Sequence, residues 1–373
     1  MLRMAAALLA ISGAAFSQNN QAQALLAQGR YAEAEPLLVR SLEAAEKQSG
    51  PDDPQLEPAI LELAAVYRVQ GKNAEAEKLY LRAIQLREKA SGAKDTALIP
   101  GLKTLAGLYL SMGRTGDAER QYLRAIAIRI DAKGAHDPEL AKDCTDLAAF
   151  YILQKRFAVA EPNLRRALDI LQHNLGPEDP ALIPVLDSLA TVLMEQKNMA
   201  PAGAPLRRAV WIQERADGPK HPNVAPRLDR LAMYYFLEKR YPEAEPLYRR
   251  SLAIWESVMG SDNPDLATTL ENLAVVLASQ EKFDEAEPLY RRSAGLRGKT
   301  TVASLNNLAM TLDGKGLDAQ AERQYKLALH LAENQPDSVA LAMTLRNYAV
   351  LLRKMKRDFE AKKLEARLRA LSK

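Results

Sequence analysis

The chain has 373 residues, is rich in alanine, leucine, glutamate, lysine and arginine, and is only 6% aromatic, the composition of a helical protein. Its 51 basic and 47 acidic side chains leave a net charge of +4 with the signs interleaved, which excludes a basic nucleic-acid surface. The single cysteine, Cys144, excludes an internal disulfide, and no stretch after residue 17 approaches the ~20 apolar residues of a membrane span.

Residues 1–17 stand apart. Arg3 gives a positive start, Ala5 to Ile11 an apolar core, and Ser12-Gly13 a break. Ala15-Phe16-Ser17 then places small residues at the two positions that govern signal cleavage. The pattern is that of a secretory leader cut between Ser17 and Gln18, giving a periplasmic or secreted protein. The same residues also allow a second reading, in which 8–28 form the first helix of the first repeat and the chain is a cytoplasmic adaptor with an uncleaved N-terminus. No cysteine follows the apolar core to carry a lipid.

From there on the chain repeats. Ala34-Glu35, Ala76-Glu77, Ala118-Glu119, Ala160-Glu161, Ala244-Glu245 and Ala286-Glu287 keep a 42-residue period, with Ala202-Gly203 at the missing step. Glycines from Gly50 to Gly260 and arginines from Arg40 to Arg292 keep the same period. A fixed period of this length means stacked units, not one globular core.

Residues 54–95 show the unit. Asp53 is a helix cap and Pro54 suits a first turn, whose N–H would be unpaired anyway. Ile60, Leu63, Ala64 and Tyr67 make one apolar stripe, ended by Gly71; Ala76, Leu79, Tyr80, Ala83 and Leu86 make a second, ended by Gly92. The unit is an antiparallel helical hairpin that cannot bury either face alone. Ala64 and Ala76 let the two helices cross closely, with Tyr67 and Tyr80 beside them.

Leu63-Ala64, Tyr67, Ala76, Tyr80 and Ala83 resemble the tetratricopeptide repeat signature. With the longer period and the phrases at 241–264 and 283–293, the chain resembles the kinesin-light-chain type of that repeat over roughly residues 20–372. The resemblance implies an all-α, right-handed superhelical solenoid of about nine hairpins. It also implies an interaction module whose first helices line a concave face.

The pattern bends in three places. Pro201, Gly203 and Pro205 should weaken the opening of the second helix of repeat 5. The 42-residue repeats run to about residue 294, and a shortened repeat follows over about 295–336, with a kink expected near residue 298 and Asp318 in an aromatic slot. A divergent capping hairpin closes the chain at 337–373.

The acidic loops, such as GPDDP (50–54) and GPEDP (176–180), read as helix stops and starts, because none offers the roughly six or more oxygens that calcium requires. His136, His173, His221 and His330 have no zinc-type spacing. Cys144 sits in a core slot, and Trp211 and Trp255 read as packing between repeats. The arginine ladder reads as a solvated outer face, supported by Glu161–Arg165, Glu245–Arg249 and Glu287–Arg291 pairs four residues apart. No phosphate loop, serine elbow or HExxH is present, so neither enzyme activity nor a cofactor or metal is expected.

The two residues before each Leu-Ala are expected to point into the groove. They are acidic in the middle, at Asp146, Asp187, Asp229 and Glu271, beside Arg230; they turn to amide and arginine at Asn272, Asn306, Asn307, Arg346 and Asn347. An amide both donates and accepts, so it can read a peptide main chain. Arg346 could grip a carboxylate. The expected function is a scaffold that holds an extended segment of a protein or peptide partner, with the acidic middle selecting basic residues. The alternative is a structural subunit of an envelope assembly that uses the convex arginine face or the end caps, self-association included.

Overall fold

A computed structural model describes residues 13–297, 301–334 and 338–371. The protein is an all-α repeat solenoid, with nine helical hairpins among the described residues. Its contacts divide it into two compact units, residues 1–177 and 178–373. The expected kink near residue 298 lies outside the described residues, as does most of the expected leader.

Unit 1 contains α1 (Gly13–Ala27), α2 (Tyr31–Ser49), α3 (Glu57–Val69), α4 (Asn73–Ser91), α5 (Ile99–Ser111), α6 (Thr115–Lys133), α7 (Pro138–Leu153) and α8 (Phe157–Leu175). Unit 2 contains α9 (Ile183–Glu195), α10 (Met199–Asp217), α11 (Val224–Leu237), α12 (Tyr241–Met259), α13 (Ala267–Ser279), α14 (Phe283–Arg297), α15 (Val302–Gly314), α16 (Asp318–Glu333), α17 (Ser338–Lys354) and α18 (Asp358–Leu371). Odd-numbered helices are the first of each hairpin and even-numbered ones the second.

The local signals act as expected. Asp53 Oδ1 accepts from the Gln55 N–H at 2.9 Å, and a turn of 3-10 helix over Pro54–Leu56 leads into α3. Asp95, Asp137, Asp179 and Asn263 cap in the same way at 2.8 Å. This is the work of the acidic loops: their carboxylates satisfy backbone N–H groups at helix starts. Gly71 turns the chain between α3 and α4 at φ +76°. The same left-handed slot holds Lys155, Lys197, Lys239, Glu281 and Lys356 in other hairpins, at φ 57–61°.

Each hairpin closes on an alanine pair. Ala64 with Ala76, Ala148 with Ala160, Ala232 with Ala244 and Ala274 with Ala286 are all fully buried, and Tyr80, Tyr248 and Tyr290 fill the space beside such pairs. The density of this packing leaves no room for a longer side chain at the crossing.

Repeat 5 departs from expectation. α10 runs unbroken from Met199 to Asp217, with Pro205 inside it. Pro201 falls in the first turn, where N–H groups have no helical partner. A proline in the second turn is general here, since Pro36, Pro162, Pro246 and Pro288 lie inside α2, α8, α12 and α14. Gly203 has a packing reason: a Cβ there would meet the Tyr234 ring at 2.8 Å.

Candidate partner-binding face

Within each unit the recurrent glutamate, where present, fastens one hairpin to the next. Glu77 accepts from Tyr109 Oη at 3.0 Å and from Arg114 Nη1 at 2.7 Å, while the Arg114 guanidinium lies 4.4 Å over the Tyr109 ring. Glu119 is held in the same way by Tyr151 at 2.8 Å and Arg156 at 2.7 Å. In unit 2, Glu245 accepts from Gln280 at 2.8 Å and Lys282 at 2.7 Å, and Glu322 from Tyr348 at 2.9 Å and Arg357 at 2.7 Å. Burial alone would raise the Glu245 and Glu322 carboxyls, but Lys282, Gln280 and Arg249 at the first and Lys326, Arg357 and Tyr348 at the second outweigh it and bring both down to about 2.

The arginine ladder is also a fastening, which corrects the expectation of a solvated outer face. Arg292 Nη1 reaches Glu256 and its Nη2 reaches the Ser261 carbonyl, both at 2.6 Å. Arg82 reaches Glu46 and the Pro51 carbonyl, and Arg250 reaches Glu214 and the Pro219 carbonyl. Each arginine thus pins the loop that ends the preceding hairpin. The short-range pairs Glu161–Arg165, Glu245–Arg249 and Glu287–Arg291 do form.

The two residues before each Leu-Ala separate into different roles. The first of them flanks the core stripe and turns into the seam with the next hairpin. Asp187 is buried and pairs with Arg227, two positions before the equivalent slot in α11. Burial raises its carboxyl, opposed by Arg230 and Arg227. Asp229 Oδ2 faces the Thr269 hydroxyl at 3.4 Å. Burial pushes Asp229 up to about 6, with Ser251, Thr269 and Trp255 opposing through hydrogen bonds. Glu271 accepts from the Ser304 hydroxyl. Asn306 is fully buried and donates to the Val302 carbonyl at 3.0 Å and to Thr344 Oγ1 at 2.7 Å.

These four residues therefore dock hairpins rather than a partner, and the expected acidic selector is absent from the middle of this face. Asp146 is taken up by Lys103. Arg230 donates to Thr191 Oγ1 at 2.7 Å and to the Asp187 carbonyl at 3.2 Å.

In α13, α15 and α17 the second residue of the pair is an asparagine. Asn272, Asn307 and Asn347 are half-buried, on α13, α15 and α17. The Asn272 and Asn307 amides make no hydrogen bond to the described residues, and Asn347 Nδ2 has only Met310 Sδ at 3.6 Å. Arg346 is exposed and has no ion-pair partner among the described residues. α13 packs on α15, and α15 on α17, so the three amides form a row over neighbouring first helices.

Sequence reasoning missed a second row. Val275, Met310 and Val350 lie one turn further along the same helices, three residues after each amide. Met310 is 51% exposed and Val350 61%. The signal was the residue directly after each Leu-Ala, which is small in unit 1 (Ala65, Gly107, Ala149) and large in these three helices.

Other candidates resolve differently. Cys144 is fully buried, and burial pushes its thiol up to about 11, against a nucleophilic role. His136 and His173 are brought together across a seam, with ring centroids 4.6 Å apart, which their sequence positions did not suggest. Among the described residues no group of three or more His, Cys, Asp and Glu could hold a metal ion. Trp255 is half-buried, and Trp211 is 41% exposed with the Arg215 guanidinium 5.0 Å over its ring. In unit 1 a hollow of about 700 Å³ lies between Leu26, Tyr31, Leu61 and Val69. No helix among the described residues is long and apolar enough to cross a membrane.

Comparison with known proteins agrees with this architecture. Sequence models of the tetratricopeptide repeat match residues 56–131 and 224–298, and a second such model matches 17–55, 144–181 and 301–334. No curated protein matches the chain. Among solved structures, BtubC (BKLC) from P. vanneervenii is 22% identical at a TM-score of 0.50, covering 61% of this chain and 91% of its own. The C-terminal part of a TPR repeat-containing protein from Cytophaga hutchinsonii is 15% identical at a TM-score of 0.56, covering 78% of this chain and 98% of its own. Aspartyl phosphate phosphatase F from Bacillus subtilis is 14% identical at a TM-score of 0.53, covering 97% and 95%. At such identities the likeness is one of fold. With repeat matches through most of its length and hairpins fastened one to the next, the chain belongs to the tetratricopeptide repeat proteins.

Proposed function

We propose that the protein is a non-enzymatic scaffold that holds an extended segment of a partner protein across α13, α15 and α17. Repeats of this class serve protein–protein interaction. The observation that carries the finer reading is the contrast within each pair of residues. Asn306 and Glu271 are committed to seams, while Asn272 and Asn307 keep their amides free of the described residues. Free amides on adjacent helices can donate to and accept from a peptide main chain. Arg346, exposed at the end of the row, suits a partner carboxylate.

The test is a capture experiment with the chain and with its Asn272→Ala/Asn307→Ala/Asn347→Ala variant, followed by titration of the captured protein. The variant should bind at least about tenfold more weakly, or about 1.4 kcal/mol, with unchanged helical circular dichroism. Equal affinity would remove the amide row from the account. The alternative reading, assembly through the arginine face, is disfavoured because Arg82, Arg250 and Arg292 are already engaged with neighbouring hairpins.

Export belongs to the same proposal. It rests on the leader-like pattern of residues 1–17, and cleavage before Gln18 would leave α1 as a ten-residue helix ending at Ala27. N-terminal sequencing of the protein recovered from its host decides this. A start at Gln18 supports export, and a start at Met1 supports the uncleaved adaptor.

A further inference from the structure

The amide row has a companion, and the two together specify more than a main chain. Asn272, Asn307 and Asn347 run beside Val275, Met310 and Val350, one turn away on the same three helices. One turn further toward the helix starts the same stripe carries Thr268, Ala303 and Met343. None of these nine side chains is ionisable. The equivalent stripe in unit 1 includes Glu62, Lys142 and Asp146. These three stripes are therefore complementary to an uncharged segment, with one apolar contact offered per helix, and the exposed Arg346 stands beside them on α17.

Helices in contact lie about 8–10 Å apart. An extended polyproline II strand advances about 3.1 Å per residue with three residues per turn, or about 9 Å per turn. One turn of such a strand thus spans one helix-to-helix step, and every third side chain returns to the same edge. A β-strand, whose side chains alternate with a period of two, would not keep one edge in step with the helices.

Resting on the groove reading above, we infer that the partner segment is uncharged where it crosses the three helices, with any carboxylate confined to the end that meets Arg346, adopts polyproline II form, and carries an apolar side chain at every third position. Those side chains lie on Val275, Met310 and Val350, while the main chain between them meets the three asparagine amides.

Two fluorescent peptides of about ten residues test this, with the same leucine and serine content. One carries leucine at every third position, the other at every second. Anisotropy titration against the full chain should show at least about tenfold tighter binding of the first peptide. That preference should vanish in Met310→Ser/Val350→Ser, whose substituted side chains are exposed and whose circular dichroism should be unchanged. If both peptides bind equally and both are lost in the triple asparagine variant, the spacing inference is overturned and the groove reading stands. If neither peptide binds, or binding is indifferent to the triple variant, both fail together.

Discussion

Asp143 in unit 1 and Asp229 in unit 2 both bring a carboxylate into a seam between hairpins, and they are held in opposite ways. Asp143, only 3% exposed, lies between Lys103 Nζ at 2.9 Å and the Arg129 guanidinium. Asp229 has Thr269, Ser251 and Trp255, all neutral donors, and its Oδ1 is buried without a hydrogen-bond partner. The first seam sets two cations against its carboxylate. The second supplies none, and so holds a carboxyl that takes up a proton near pH 6. The state of a carboxylate in a seam is thus set by what the surrounding helices offer it, not by its own residue type.

The sharpest way to break this comparison is to strip unit 1 of its cations. Lys103→Met with Arg129→Met strands the Asp143 carboxylate and should destabilise the unit by about 3 kcal/mol or more. The loss should appear as lower hydrogen-exchange protection across α5, α6 and α7. Unchanged protection would mean that the ion pairs do not hold the seam.

The converse change acts on unit 2. Because the folded carboxyl of Asp229 titrates near 6, above its ordinary 3.8, the folded state binds more protons than the unfolded one between those values. Stability from this group therefore rises as pH falls through about 6 and is lost again as pH rises. Asp229→Asn should stabilise the protein at pH 7.5 by about 1–2 kcal/mol and flatten the melting temperature between pH 4 and 7. A variant with the wild-type pH slope would place that titration elsewhere.

The smallest effect sharpens the contrast on the acid side. Glu245 and Glu322 are depressed to about 2, so their contribution is present above about pH 4.5 and fades as pH falls through 2. The exposure of their partners Arg249, Lys282 and Lys326 to water limits each to about 0.5 kcal/mol. Glu245→Gln with Glu322→Gln should shallow the acid limb of a pH melt by that order, whereas a steeper limb would contradict the assignment.

The hairpins, their caps and their alanine crossings were legible in the sequence because each depends on residues within one or two turns. Asp53 finds the Gln55 N–H two residues away, and the Leu63–Ala64 stripe needs only helical periodicity. The seams were not legible, because their partners lie a whole repeat away. The partners of Glu77, Tyr109 and Arg114, lie 32 and 37 residues further along the chain. Of the expected groove residues, Asn272, Asn307, Asn347 and Arg346 remain available, while Asp187 and Asn306 do not. One residue of sequence is about 100° of helix, which suffices to carry the first of each pair from the open face into the seam.

The glutamate clasps have a consequence for how such a chain can change length. Glu35, Glu77 and Glu119 each reach a cation 37 residues ahead, at Lys72, Arg114 and Arg156. These hairpins of unit 1 therefore present the same acceptor forward and the same kind of donor backward. Excision of residues 57–98, one full period, would leave Glu35 facing Arg114 in place of Lys72 and every remaining clasp closed. Insertion of a copy would do the same in reverse. Duplication and loss of whole units are open to this architecture without compensating substitutions, except around repeat 5, where Asn198 stands in the cation's slot and Tyr234 fills the space of the missing glutamate at Gly203, so a neighbour from any other position would find neither donor nor acceptor.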